Sequence, residues 1–441
     1  MEVSPRRRRE VLDALRRGTV PANGLDLLAV GLGRFEAATE VELDTAASGG
    51  GVFKAVRGEY GAGKTFFTRW LTERALRRGF AAAEVQISET ETPLHRLETV
   101  YRRTTESLRT SSFPPSAFRE VLDGWLYTVE QDALAADPSL SGPSDPRAVA
   151  AADALLERRL AAVSARTPLF AAALRGFRRL SSEGDLAGAE AVAAWLGGQP
   201  HVAAAAKRAA GVRGDLDHFG ALGFLQGLLV VLRDSGHPGL LLVLDEVETL
   251  QRVRGDVRDK ALNALRQLLD EVDTGRFPGL YLLITGTPAF FDGPSGVRRL
   301  PPLTQRLATD FTLEPRFDNP RAAQVRLPSF DAQALQRLGV TVRDLYAAGS
   351  DAADRLRDRV DDAYIAALAA EVTGQLGGSV GVAPRIFLKK LVGEVLDRVD
   401  LFDDFDPKVW TPSLSADELS PAERAAARLP ASRADDVELE L

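Results

Sequence analysis

Apolar residues run without interruption through Leu240-Leu241-Leu242-Val243-Leu244 and again through Leu280-Tyr281-Leu282-Leu283-Ile284. Runs of this length without polar alternation predict strands buried on both faces, the habit of a parallel sheet. Three more segments read as strands: Val52 to Arg57, Phe80 to Ile87 and Ala323 to Leu327. Elsewhere the period lengthens to that of helices. One is expected from Phe35 to just before Ser48-Gly49-Gly50-Gly51, one through about Arg78, and one around Lys260 to Val272. From about Glu91 to Arg233 strand signals vanish. There Ser144-Asp145 can cap a helix, Pro146 suits its first turn, and Val149, Ala152, Leu156, Leu160 and Val163 recur on one face. Beyond Pro328-Ser329-Phe330 the pattern is helical to about Asp400. At the other end, Val11, Leu12 and Leu15 stand at helical spacing among six Arg of the first twenty residues. They predict a short amphipathic helix whose basic face is either solvated or a nucleic-acid or partner contact.

Strand, glycine-rich loop, helix, strand is a βαβ unit, which implies parallel strands joined by right-handed crossovers. The expected fold class is therefore α/β: a five-stranded parallel sheet with a large helical insertion and a C-terminal helical lid. The expected division is an N-terminal helical segment at 1–48, a core at 49–328 with its insertion at about 91–233, a lid at 329–403, and an acidic, partly disordered tail at 404–441.

Composition narrows the chemistry. With 441 residues and 45% hydrophobic content the chain can fill real cores. It has no cysteine, so a disulfide framework, a thiolate metal site and a Cys nucleophile are excluded. His95, His201, His218 and His237 are too scattered for a His-built centre, so any metal must be held by oxygen. A net charge of −7 argues against a molecule-wide field for nucleic acid; DNA contact remains possible only through a local patch. No apolar leader or membrane-length run is visible, and a cytoplasmic protein is expected.

Gly58-Glu59-Tyr60-Gly61-Ala62-Gly63-Lys64-Thr65 fits the phosphate-binding loop pattern, and it lies between a predicted strand and a predicted helix, as that pattern requires. Glycines let backbone N–H groups turn inward around a phosphate at a helix N-terminus. Lys64 is then expected to neutralise phosphate charge, and the Thr65 hydroxyl to ligate Mg²⁺. Asp245, ending the long apolar strand, is the expected Mg²⁺ partner, and Glu246 has the chemistry to orient and deprotonate an attacking water. Glu248 is read as a solvated helix-start carboxylate. Thr285, or else Thr287, ends the next strand and is expected to hydrogen-bond the water or the terminal phosphate. Gly381-Val382-Ala383-Pro384-Arg385 opens a helix from Ile386 to Leu396, from which Arg385 can fold over a nucleotide.

These motifs, in this order, resemble AAA+ ATPases of the initiator-like branch. More narrowly, Val52 to Arg102, Val325 to Asp331 and the ending ADDVELEL resemble the BrxD family of ATP-binding proteins from BREX phage-defence systems. The resemblance implies Lys64 and Thr65 as the Walker A pair, Asp245 and Glu246 as Walker B, Thr285 as sensor 1 and Arg385 as sensor 2. It implies ATP and Mg²⁺ as cofactors and slow hydrolysis coupled to homo-oligomer assembly, with other defence proteins or DNA as partners. It also implies an arginine finger from a neighbouring subunit, for which Arg306 and Arg316 both qualify. The branch's usual winged-helix domain is longer than the stretch that follows the lid here, so the resemblance does not by itself carry over duplex binding. Two alternatives stay open: a nucleotide-gated switch with little turnover, and a kinase or transferase of small substrates.

Overall fold

The computed structural model describes residues 3–142, 145–327, 330–377 and 384–410, with 413–415, 417–419, 423, 424 and 427 of the tail. Ser144, Pro328, Ser329, Gly381-Val382-Ala383, the ADDVELEL ending and most of the segment read as an acidic, partly disordered tail lie outside these residues.

Five strands form one wholly parallel sheet: β1 (Val52–Arg57), β2 (Ala81–Gln86), β3 (Leu240–Asp245), β4 (Leu280–Gly286) and β5 (Gln324–Arg326). Their spatial order is β2-β3-β4-β1-β5. The fold is thus α/β, as the apolar runs predict. Period-2 geometry splits each strand between two cores. Leu240, Leu242 and Leu244 face one core with Leu280, Leu282 and Ile284, while Leu241, Val243, Tyr281 and Leu283 face the other. All of these are buried, which explains why the sequence shows no polar alternation there.

The second face is covered by α2 (Gly33–Ala47) and α3 (Lys64–Arg77), with Phe35, Phe67 and Trp70 packed in the seam. Over the first face lies the insertion, α4 (Leu97–Ser107), α5 (Phe118–Ala136), α6 (Pro146–Arg166), α7 (Pro168–Ser182), α8 (Leu186–Leu196), α9 (Ala204–Ala209) and α10 (His218–Asp234). Asp145 caps α6 by accepting from Arg147 N–H, and Pro146 occupies its first turn. Helix α11 (Gly255–Asp273) joins β3 to β4, and short α12 (Pro288–Asp292) and α13 (Pro301–Arg306) precede β5.

A third core belongs to the C-terminal helices α14 (Ala332–Ala347), α15 (Ala353–Arg359), α16 (Asp362–Gln375), α17 (Pro384–Lys390) and α18 (Asp397–Leu401), the last two joined by a π-helical turn at Leu391–Leu396. The first helix, α1 (Pro5–Arg16), packs its Val11, Leu12 and Leu15 into this same core. Residues 1–48 therefore divide: α1 lies with the C-terminal helices, and α2 lies on the sheet. Much of α1's positive charge is used internally. Arg7 pairs with Asp26 and Glu73, Arg8 donates to the Ala348 carbonyl, and Arg16 forks onto Asp397.

Candidate functional site

The topology brings the C-terminal ends of β1, β3 and β4 side by side, the position where open parallel sheets hold ligands. After β1 the chain turns through Gly58 to Gly63 and enters α3. Gly61 and Gly63 have φ of +83° and +86°, a region costly for any residue with a Cβ. The N–H groups of Gly61, Gly63, Lys64 and Thr65 have no acceptor among the described residues. They line the cavity at the positive end of α3, where an anion is favoured. Lys64 is buried beside them, donating to the carbonyls of Gly58 (2.8 Å) and Glu59 (3.2 Å), with Tyr60's ring 5.1 Å away. Burial lowers the lysine's pKa, opposed by Glu248 and Asp245 nearby. Thr65 is exposed, whereas Ala62 is buried with its N–H on the Glu59 carbonyl.

At the end of β3, Asp245 is buried and its Oδ1 accepts from the Thr285 hydroxyl and from Glu246 N–H (3.1 Å). Register explains this meeting, because Leu244 pairs with Ile284 and sets the next residues of β3 and β4 beside each other. Glu246 N–H also reaches Thr285 Oγ1 at 3.3 Å. Glu246 itself sits at φ 60°, ψ 40°, a left-handed conformation uncommon outside glycine. Its Oε2 accepts from the Gln86 amide at 3.0 Å, across from the end of β2. Sequence reasoning missed Gln86; a polar residue ending a strand at the carboxyl edge of a parallel sheet was the signal available.

Two expectations need correction here. Thr285 is fully buried and does not line the cavity; its hydroxyl is turned to Asp245 rather than outward. Glu248 is not solvated. The left-handed turn at Glu246 starts a 3₁₀ segment that carries Glu248 back beneath the loop, leaving it 5% exposed with Oε1 3.9 Å from Lys64 Nζ. Its Oε2 is buried and has no hydrogen-bond partner among the described residues, and desolvation pushes its carboxyl pKa up against the pull of Lys64.

These groups open onto one cavity of about 500 Å³, within the range that holds small organic ligands. One end is lined by Gly61 to Thr65, Asp245, Glu246 and Glu248. The other is apolar, with Val20, Pro21, Val30 and Leu32 from the α1–α2 connection facing Leu338 and Leu388 of α14 and α17. Arg385, in the first turn of α17, also lines it. Arg306 does not: its guanidinium is paired with Asp270 and Asp273 of α11. Arg316 is exposed and pairs with its neighbour Glu314, and Thr287 is buried at the start of α12, outside the cavity.

Among the described residues no cluster of three or more His, Asp or Glu could hold a metal ion by itself. The oxygen donors at the polar end include the Thr65 hydroxyl and Asp245, whose Oδ2 carries no hydrogen bond among the described residues, beside the carboxylates of Glu246 and Glu248. Two such ligands suit a divalent ion that takes its remaining oxygens from water and phosphate.

Parallel strand order, glycine loop and buried strand-end carboxylate together define a P-loop type α/β fold. The chain belongs to the family described as BREX system ATP-binding protein BrxC/D, whose sequence model matches residues 3–413. The family is thus one of ATP-binding proteins of BREX systems. Neither a curated protein nor a solved structure matches the chain. No helix among the described residues is long and apolar enough to cross a membrane.

Proposed function

We propose that this chain binds Mg·ATP in the cavity and hydrolyses it slowly, using the cycle to drive assembly with copies of itself and with other defence proteins or DNA in the cytoplasm. The observation that carries the reading is the convergence of four unpaired loop N–H groups, Lys64, Asp245 and Glu246 on one cavity with an apolar far end. The triphosphate lies along the loop, where the N–H row and Lys64 meet its charge. The base lies against Val20, Val30 and Leu338, which exclude water from its faces. Thr65 and Asp245 hold Mg²⁺, which when bound neutralises phosphate charge. Glu246 orients the attacking water and takes its proton, and Gln86 fixes the carboxylate that does so. Thr285 acts as a positioning residue by holding Asp245 and the Glu246 N–H. Arg306, if it serves a neighbouring subunit, must first leave Asp270 and Asp273.

The test is Glu246→Gln, which keeps shape and removes basicity. ATP binding is expected to persist while phosphate release falls by about 10² or more. Equal turnover in variant and parent would remove Glu246 from this role, and a parent that binds ATP without turnover would favour the switch reading.

A further inference from the structure

Among the described residues of the tail, one reaches the cavity. Glu423 lines it, is 2% exposed, and forks onto Arg385: Nε lies 3.0 Å from Oε1 and 3.2 Å from Oε2, and Nη2 also meets Oε2. Nη2 donates as well to the Glu418 carbonyl at 2.5 Å. The remaining nitrogen, Nη1, is packed against Gly18, where even a Cβ would come within 3.0 Å of it. Two of the three guanidinium nitrogens are thus engaged by the tail. The segment is anchored around this contact: Glu418 bridges Lys389 (3.1 Å) and Lys390 (2.7 Å), and Leu419 is buried in the core of the C-terminal helices. Glu423 thus presents to Arg385 the bidentate anion that a terminal phosphate would present, at the rim of the same cavity.

We propose that Glu423 is a selectivity residue for nucleotide: an internal anion that competes with the terminal phosphate for Arg385, so that ATP, and not ADP, displaces it from the guanidinium. This rests on the reading of the cavity as an ATP site. A carboxylate and a phosphate cannot share one side of a guanidinium without like-charge repulsion, so the ligand that brings a third phosphate must overcome the internal pair. ADP, lacking that phosphate, leaves the pair intact. The preference for ATP over ADP is then set by the difference between two anions and is smaller than an unopposed Arg385 would give.

The experiment uses the full chain, with Mg·ATP and Mg·ADP affinities measured by calorimetry for parent, Glu423→Gln, Arg385→Ala and the double variant. Binding of either nucleotide by the parent tests the cavity reading on its own, and its absence overturns both. Given binding, Glu423→Gln is expected to tighten ATP about tenfold, the equivalent of ~1.4 kcal/mol, with ADP changed less than twofold. In the Arg385→Ala background the same substitution should change nothing. ATP weakened by Glu423→Gln, or both nucleotides shifted together, would overturn the proposal and make Glu423 a support for Arg385. A second measurement needs no variant: tryptic cleavage at exposed Arg424 should be accelerated by a non-hydrolysable ATP analogue and not by ADP. Equal cleavage with both would also refute the competition.

Discussion

Replacing Thr285 by Val removes a hydroxyl and almost nothing else. The side chain is fully buried, so shape is kept, and the methyl groups meet the same neighbours. What is lost is one donor to Asp245 Oδ1 and one acceptor for Glu246 N–H, which retains its 3.1 Å bond to Asp245. A hydrogen bond to a charged group contributes about 1.5–3 kcal/mol, and here the donor also fixes the carboxylate's rotamer. If ~2 kcal/mol of this is realised only when the reacting groups are aligned, turnover falls about 30-fold. Thr285→Ser keeps the hydroxyl and loses one methyl, which costs about 1 kcal/mol of folding stability and leaves alignment intact. Steady-state phosphate release at saturating Mg·ATP, with denaturant midpoints on the same preparations, separates the two effects. The Val variant should be slow and the Ser variant close to parent in rate. Equal rates for Val and Ser, or a Val variant as fast as the parent, would refute the positioning argument.

Lys64→Ala should weaken Mg·ATP binding by about 2–4 kcal/mol, since a charge-assisted contact in a preformed donor row disappears; an unchanged isotherm would sink the loop's role. Glu248→Gln should stabilise the nucleotide-free chain at pH 8 by about 1 kcal/mol, because a buried carboxylate with an unpartnered oxygen is replaced by a neutral amide. The raised carboxyl pKa gives the sign of its pH dependence. The folded chain holds this proton more tightly than the unfolded one, so stability is lost as pH rises above 4.5 and through the raised value. The advantage of Gln must therefore shrink as pH is lowered toward that window, as read from denaturant midpoints at pH 8 and 5.5.

Backbone pattern was the legible layer. Strands β1 and β3 fall within a residue of their predicted bounds and β4 runs two residues past its predicted end, and in β3 and β4 the continuous apolar run of strands buried on both faces marks them. The glycine loop was legible because Gly61 and Gly63 hold left-handed angles that glycine adopts without steric strain, and their spacing shows in the sequence. The helix expected from Ile386 to Leu396 begins at Pro384 and loosens into a π turn after Lys390, which period counting does not register. Side-chain partnerships were hidden for a different reason. Glu248 reads as solvent-facing in any linear pattern, and only the left-handed step at Glu246 turns it under Lys64. Arg385 reads as an available cation until the tail brings Glu423 to it from 38 residues away. Likewise the basic face of α1 looks free until Asp26, Glu73 and Asp397 come to it in three dimensions.

Because α1 belongs to the core of the C-terminal helices, that lobe is joined to the sheet twice. One crossing runs through the Leu25–Leu28 turn, where Leu25 is buried on the sheet side and Leu28 in the lobe. The other leaves β5 after Leu327 and enters α14. A body held by one tether can swing in any direction, but one held by two can turn freely only about the line through both. The cavity wall at Val20 to Leu32 is itself part of the first tether, so the cavity's apolar end and the axle of the lobe are built from the same dozen or so residues.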